Sequence, residues 1–434
     1  TLEGLSNRVK DVLDEVEKGG EPGFPEEAQK ALGSIEKSLG SIVSQLSKLD
    51  EKDGSEDKSP STSARDVKNR IFDEVEDDSS PIFYLSKGEK ELDDLESFVE
   101  ERGFFYPEKT YRKVWGHLHS QDSRLIILAG APGAGKSTFA RLLAEFWNED
   151  VDVSADGDGK PSWQAFWHLE SVSPSWFSPD SLLGGKDPLT GVVQLSAFSQ
   201  FLISAEVHYT RAQLLDASPR MFFGCLDEFN IARPEQYMSN ILSKIEAPQK
   251  GKNGSQRTIR LQEGQGGVDI ELPPNLKLFA TINTDVASKV LSPKVLDRAF
   301  FVRMTPSLDN LQKVAGMLAK KHKASKFHDK MLKVLPDIDA LARAGQSPLG
   351  YRALAKSYQY AERLEAMGED AVTMLNDVLE SAFLSKLPGA FSVNDPKGKY
   401  SSRLRDENSS LRQLADVGDT LDVIADGLPG QASL

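Results

Sequence analysis

The feature of this chain that most restricts its fold is a glycine-rich loop between an apolar segment and an amphipathic one. Residues 130–137 read Gly-Ala-Pro-Gly-Ala-Gly-Lys-Ser, which is the pattern GxxxxGK[ST]. The aliphatic residues 125–129 predict a buried strand before the loop, and apolar residues at helical spacing from Phe139 to Trp147 predict a helix after it. A strand, a glycine-rich loop and a helix N-terminus in this order form a phosphate cradle, because loop N–H groups and the helix dipole both face the anion.

Each position of this loop has an expected role in binding a nucleoside triphosphate. Lys136 is expected to reach the β- and γ-phosphates, and the Ser137 hydroxyl is expected to bind Mg²⁺. The remaining contacts are assigned to Gly130, Pro132, Gly133, Ala134, Gly135 and Thr138. The loop pattern does not distinguish adenine from guanine nucleotides, so the expected nucleotide is ATP or GTP.

A second apolar segment, residues 221–226, ends in two acidic residues, Asp227 and Glu228. In-line attack of water on a γ-phosphate needs a positioned water and neutralised charge more than covalent chemistry. We therefore predict that Asp227 holds Mg²⁺ through its water shell and that Glu228 orients and deprotonates the attacking water. The single cysteine, Cys225, lies inside this predicted strand, which favours a buried apolar role over a reactive thiol.

Three further polar residues stand at the ends of predicted elements. Asn283 follows a third apolar run and is predicted to contact the γ-phosphate and the attacking water, as a sensor 1 residue. Arg352 opens a predicted helix and is expected to reach the phosphates of its own subunit, as a sensor 2 residue. Arg298 has two interpretations, a surface arginine paired with Asp297 or an arginine finger supplied to the nucleotide of a neighbouring subunit.

The pattern of apolar residues divides the chain into six segments. They are a helical hairpin or coiled coil over residues 1–50, a polar linker over 51–66, a helical connector over 67–102, an α/β nucleotide-binding domain over 103–305, a helical lid over 306–386 and an irregular tail over 387–434. Within the tail, only a short helix around residues 411–421 is expected. Short apolar runs alternate with helices in the nucleotide-binding segment, which predicts a parallel sheet covered by helices on both faces. The seam of the first segment fits either a stalk without chemistry or a docking site for a specific partner.

The composition limits how many domains the protein has, where in the cell it works and what it binds. The 434 residues are too many for one core, and no apolar run is long enough to span a bilayer. The net charge of −14 disfavours a broad nucleic-acid-binding surface, although it leaves room for a local basic channel. A single cysteine excludes an intrachain disulfide, so we expect a cytoplasmic protein without membrane contact.

The phrases around these residues resemble the AAA+ ATPases of the McrB-like group. Residues 226–246, which begin Leu-Asp-Glu-Phe-Asn-Ile-Ala-Arg, are similar to its Walker B segment, and residues 283–298, which end Ser-Pro-Lys-Val-Leu-Asp-Arg, resemble its sensor 1 and finger segment. Trp176 with residues 181–191 resembles an insertion within helix 2 that also marks the related MoxR ATPases. Residues 249–273 fit a hairpin inserted before sensor 1. Altogether the resemblance runs from about residue 129 to about residue 364.

This resemblance implies a ring-forming, Mg²⁺-dependent NTPase, expected as a hexamer, that is the motor subunit of a McrBC-type restriction and antiviral defence complex. Its implied partner is a McrC-like nuclease or activator subunit. McrB proteins carry a DNA-reading domain before the motor, whereas the first hundred residues here are acidic and coiled-coil-like. DNA is therefore expected to be contacted only indirectly, through a partner or through residues upstream of Thr1.

Two other functions use the same motifs. A MoxR-like ATPase would remodel a protein client with the same hydrolytic residues. A non-hydrolysing scaffold would use nucleotide only for assembly, and the presence of Glu228 and Arg298 argues against it. The Ser-Pro-Lys-Val-Leu-Asp-Arg phrase favours the McrB-like function over the MoxR-like one.

Overall fold

The structure, a computed structural model, describes residues 63–77, 90–119, 125–150, 162–186, 193–245, 257–261, 267–284, 290–388, 393 and 398–426. All of them belong to one compact unit, residues 62–434. The hairpin or coiled coil predicted for residues 1–50 lies outside the described residues, as does most of the linker predicted for residues 51–66.

A five-stranded parallel sheet forms the centre of the described region. The strands among the described residues are β1 (Leu125–Gly130), β2 (Trp167–Ser171), β3 (Gly184–Lys186), β4 (Val193–Leu195), β5 (Phe222–Asp227), β6 (Thr258–Leu261), β7 (Val268–Glu271), β8 (Leu276–Asn283) and β9 (Phe300–Arg303). Five of them form the sheet in the order β2-β5-β8-β1-β9, and each neighbouring pair is parallel. The strands β3 and β4, and likewise β6 and β7, form antiparallel pairs, the second directly before β8.

Helices lie between these strands and cover both faces of the sheet, and further helices follow β9. They are α1 (Ala64–Asp77), α2 (Leu92–Glu101), α3 (Glu108–Leu118), α4 (Lys136–Trp147), α5 (Pro179–Leu183), α6 (Ala197–Leu214), α7 (Pro234–Tyr237), α8 (Ser239–Ile245), α9 (Pro293–Asp297), α10 (Leu308–His322), α11 (Ser325–Ala344), α12 (Tyr351–Met367), α13 (Ala371–Val378), α14 (Lys399–Leu404), α15 (Ser410–Leu414) and α16 (Gly418–Ala425). Within the described residues, no helix is long and apolar enough to cross a membrane.

The central strand β1 shows why the sheet is covered on both sides. All six of its residues are buried, as expected for a strand in a parallel sheet that has helices on both faces. Successive side chains point to opposite faces, so Leu125 and Ile127 join the core that contains α6, whereas Ile126 and Leu128 join the core that contains α4. This arrangement is the α/β fold that the sequence predicts.

The helix α1, which precedes the strands of the sheet along the chain, packs against one of these cores. Val67 and Ile71 are buried against the core that contains α6. At the edge of this contact, Lys68 Nζ lies 2.6 Å from a carboxylate oxygen of Glu206 and donates to the carbonyl of Asp269 in β7. The helices α2 and α3 contribute to the core on the other face of the sheet.

The helices α10 to α16 share a third core, next to the sheet domain. The helical layer continues past residue 386, where the sequence predicted an irregular tail, because Tyr400, Leu404, Leu411 and Leu421 are buried in this core. The helices that carry them have six, five and eight residues. Such short helices repeat the 3.6-residue period too few times for the sequence to predict more than one short helix, around residues 411–421.

Candidate nucleotide-binding site

A cavity of about 160 Å³ lies at the carboxyl ends of β1, β5 and β8. It is lined by Pro132, Gly133, Gly135, Lys136, Ser137, Thr138, Asp227, Glu228, Thr281, Asn283 and Arg352. The sequence predicted a site role for each of these residues except Thr281. The carboxyl ends of adjacent parallel strands meet at one edge of a sheet, which explains why residues from such distant motifs converge here.

The loop between β1 and α4 contains two glycines in a left-handed backbone conformation. Gly133 and Gly135 have φ values of 78° and 82°, in the left-handed region that glycine adopts without strain. Turns that include such residues let successive N–H groups point into one concavity. The Tyr106 hydroxyl braces the loop from outside, because it donates to the carbonyl of Gly135 at 3.0 Å.

Lys136 holds a buried positive charge at the cavity, with only 7% of the residue exposed. Its Nζ donates to the carbonyls of Gly130 and Ala131, at 3.0 and 2.9 Å, and to Oδ1 of Asn283 at 2.8 Å. These three acceptors are uncharged oxygens. They orient the ammonium group of Lys136, which lines the cavity.

Oxygen atoms suitable as Mg²⁺ ligands meet at the side chain of Asp227. The Ser137 hydroxyl donates to Oδ1 of Asp227 at 2.6 Å, and the Thr281 hydroxyl donates to the same oxygen at 2.5 Å. A hydroxyl and a carboxylate are the hard oxygen ligands that Mg²⁺ takes, together with phosphate oxygens and water. The described residues contain no cluster of three His, Cys, Asp or Glu side chains that could hold a metal by themselves. The residues present therefore fit a Mg²⁺ that arrives with a phosphate ligand.

Glu228 follows β5 directly and has a φ of 54°, which is uncommon for a residue with a side chain. This left-handed conformation costs about 1–2 kcal/mol for a non-glycine residue. Its N–H donates to the Thr281 hydroxyl at 3.1 Å. Residues held in such conformations cluster at active sites, where the surrounding structure fixes them.

The helix α12 begins on top of the phosphate loop. Arg352, in its first turn, lines the cavity, and a Cβ added at Gly133 would lie 2.7 Å from the Cβ of Arg352. The Tyr351 hydroxyl donates to the carbonyl of Phe105, in the segment before α3.

Arg352 also borders a second cavity of about 480 Å³, whose charged lining residues include Lys356 and Lys386. Burial, followed by the charge of Lys356, lowers the pKa of Lys386. The helical segment after β9 thus brings three basic side chains to the region of the phosphate loop.

A methyl group at Gly350 should push the lid away from the phosphate loop. A Cβ at this position would lie 2.5 Å from the carbonyl oxygen of Pro132. We expect Gly350→Ala to destabilise the fold by about 1–3 kcal/mol, as overpacking does, and to weaken nucleotide binding. Thermal melting and a nucleotide titration measure the two effects.

The matched control for this substitution is Gly316→Ala, within the lid helix α10. A Cβ at Gly316 meets no atom within 4 Å, so this variant should be neutral or stabilised by about 0.5–1 kcal/mol. Equal melting temperatures for the two variants would show that the lid does not rest on the loop.

Arg298 lies outside this cavity. It follows α9, is half-buried, and its Nη1 donates to the carbonyl of Lys294 at 2.9 Å. The structure therefore does not bring Arg298 together with the other predicted site residues of its own chain. Both interpretations of this residue, a surface arginine and a finger for a neighbouring subunit, remain open.

The structure also shows contacts that the motifs did not predict. Thr281 stands two residues before Asn283 in β8, so strand periodicity places both on one face of the sheet. That spacing was the signal from which Thr281 could have been found. No sequence pattern marked Tyr106. Cys225 is fully buried and burial raises the pKa of its thiol, which agrees with the predicted apolar role.

Comparison with known proteins adds little to this geometry. No protein-family model and no curated protein matches the chain. Among solved structures, the chain is similar to a RuvB mutant of Thermotoga maritima, with a TM-score of 0.38 and 11% sequence identity over 78% of this chain and 89% of that chain. A similarity this distant carries no conclusion about activity or partners. The parallel sheet, the glycine loop and the helix that follows it nevertheless define an α/β P-loop fold.

Proposed function

We propose that this protein is a Mg²⁺-dependent nucleoside triphosphatase of the AAA+ type. The observation that carries the proposal is the convergence, in one cavity, of a buried lysine, a serine–aspartate pair, a glutamate, an asparagine and a lid arginine. These residues are Lys136, Ser137, Asp227, Glu228, Asn283 and Arg352. Phosphoryl transfer depends on positioning and charge stabilisation, and this set supplies both.

Each residue has a separate task in this proposal. Ser137 and Asp227 would hold Mg²⁺, which when bound neutralises charge on the phosphates. Lys136 and Arg352 add fixed positive charge beside them. Glu228 accepts the proton of the attacking water, and Asn283 orients Lys136 through the 2.8 Å bond to its Nζ.

A ring of subunits would complete the site with a residue that each chain lacks in its own cavity. Residues 283–298 are suited to a contact between subunits, because Val290 and Leu296 in this segment are 96% and 45% exposed. Single exposed apolar residues are ordinary, but these two precede Arg298, the arginine that would enter the neighbouring site. Together with the resemblance of residues 283–298, this supports a hexameric motor of a McrBC-type complex, working with a McrC-like nuclease or activator.

Lys136→Ala tests the nucleotide site directly. We expect no measurable binding of ATP or GTP in a titration with Mg²⁺, because the cavity loses the charge that neutralises the β- and γ-phosphates. Titrating the wild-type protein with both nucleotides also decides the base preference.

Lys320→Ala, which removes an exposed lysine of α10, is the control and should bind as the wild type does. Thermal melting shows whether Lys136→Ala remains folded. Wild-type affinity in folded Lys136→Ala would contradict the proposed site.

A further inference from the structure

Thr281 lies where the two strands that carry the acidic residues and Asn283 run side by side. It is the sixth residue of β8 and is 2% exposed. The parallel register pairs Leu226 with Ala280, so the next residues along the two strands, Asp227 and Thr281, are neighbours. Its position, rather than any motif, brings its hydroxyl to the cavity.

Three successive residues at the end of β5, Asp227, Glu228 and Phe229, form hydrogen bonds with Thr281. Its hydroxyl donates to Oδ1 of Asp227 at 2.5 Å and accepts the N–H of Glu228 at 3.1 Å. Its carbonyl accepts the N–H of Phe229 at 2.8 Å. A hydroxyl has one proton to donate and two lone pairs, so it can form both of its bonds at the same time.

The two backbone bonds explain how Glu228 is held in its left-handed conformation. The N–H of Glu228 donates to the Thr281 hydroxyl, and the N–H of the next residue, Phe229, donates to the Thr281 carbonyl. With both flanking peptides fixed, the backbone at Glu228 sets the direction in which its side chain leaves β5. The Thr281 hydroxyl therefore helps to orient the side chain of Glu228, the expected general base.

The remaining bond acts on the expected metal ligand. Ser137 and Thr281 both donate to Oδ1 of Asp227. If the Ser137 hydroxyl oxygen were taken up as a ligand of Mg²⁺, the bond from Thr281 would remain to orient the carboxylate of Asp227. Partners that orient metal ligands in this way typically contribute about 10–100-fold to metal affinity or activity.

We propose that Thr281 is a positioning residue for the hydrolytic step, because one hydroxyl fixes both the carboxylate of Asp227 and the backbone of Glu228. This inference rests on the proposed NTPase function. It adds a residue that acts through the metal ligand and the base, without itself touching the reacting atoms.

The test compares Thr281→Val, which keeps the shape and removes the hydroxyl, with Thr281→Ser, which keeps the hydroxyl. We expect Thr281→Val to lower kcat by about 10–100-fold and to need more Mg²⁺ for half-maximal turnover, while KM changes little. Thr281→Ser should restore both quantities to near wild-type values. A role in packing alone would give the opposite ranking, because serine lacks the methyl group that valine keeps.

Three measurements separate the possible failures. Wild-type kcat and Mg²⁺ dependence in folded Thr281→Val would overturn the inference and leave the NTPase proposal intact. If the wild-type protein does not hydrolyse nucleotide, the NTPase proposal fails. The Mg²⁺ dependence of binding a fluorescent ATP analogue then still tests Thr281, since an unchanged Mg²⁺ midpoint in Thr281→Val would overturn its role. Should Thr281→Val not fold, Thr281→Ala removes the same hydroxyl with less bulk and replaces it in each assay.

Discussion

Replacing Arg298 by alanine should leave nucleotide binding unchanged and slow turnover by about 10³–10⁵-fold, the range found for arginine fingers. The residue lies outside the cavity of its own chain, so its loss removes no contact to its own nucleotide. A surface ion pair would be worth only about 0–1 kcal/mol, far less than this effect. Phosphate release and a nucleotide titration measure the two quantities, and in the wild-type protein turnover per subunit should rise steeply with protein concentration as rings form.

Mixing distinguishes a finger that acts on a neighbour from a residue that acts within its own chain. Arg298→Ala mixed with Lys136→Ala should recover part of the activity, because some interfaces then join an intact Lys136 site to an intact Arg298. Arg112→Ala, at an exposed arginine of α3 with an ion pair to Glu108, is the control and should be fully active. Absence of rescue in co-assembled rings would return Arg298 to the role of a surface arginine.

Glu228→Gln should bind nucleotide and assemble as the wild type does, yet hydrolyse about 10²–10⁴-fold more slowly, which is the usual contribution of a general base. Glutamine keeps the size of the side chain and the bond from the backbone N–H to Thr281, and Asp227 remains to hold the metal. The amide cannot take the proton of the attacking water. Single-turnover phosphate release, with binding measured in parallel, separates the chemical step from affinity.

The control for this prediction is Glu235→Gln, a half-buried acid of α7 that does not line the cavity. It should hydrolyse at the wild-type rate. Undiminished turnover in Glu228→Gln would show that another residue activates the water, and would remove the functional explanation for the left-handed backbone at this position.

Much of the candidate site could be predicted from short stretches of the sequence. The glycine loop, the lysine and serine after it and the two acids after β5 depend on neighbours in sequence, because a loop conformation and a strand end are set within a few residues. The run at β1 is aliphatic throughout, which indicates a strand buried on both faces. The helices α14 to α16 were predicted only as a short helix around residues 411–421, because their residues become apolar contacts only through a core shared with α11.

The sequence by itself determined the P-loop, the acidic pair, the alternation of strands and helices, and the helical segment that follows them. The tertiary structure alone decided that Asn283 holds Lys136, that Thr281 holds Asp227 and Glu228, and that the lid begins against Pro132 and Gly133. These contacts join residues far apart in the chain, and they depend on the strand order β5-β8-β1, which no local pattern encodes. Side-chain periodicity can place a residue on a face of a strand, but only the packing of the whole sheet decides which residue it meets there.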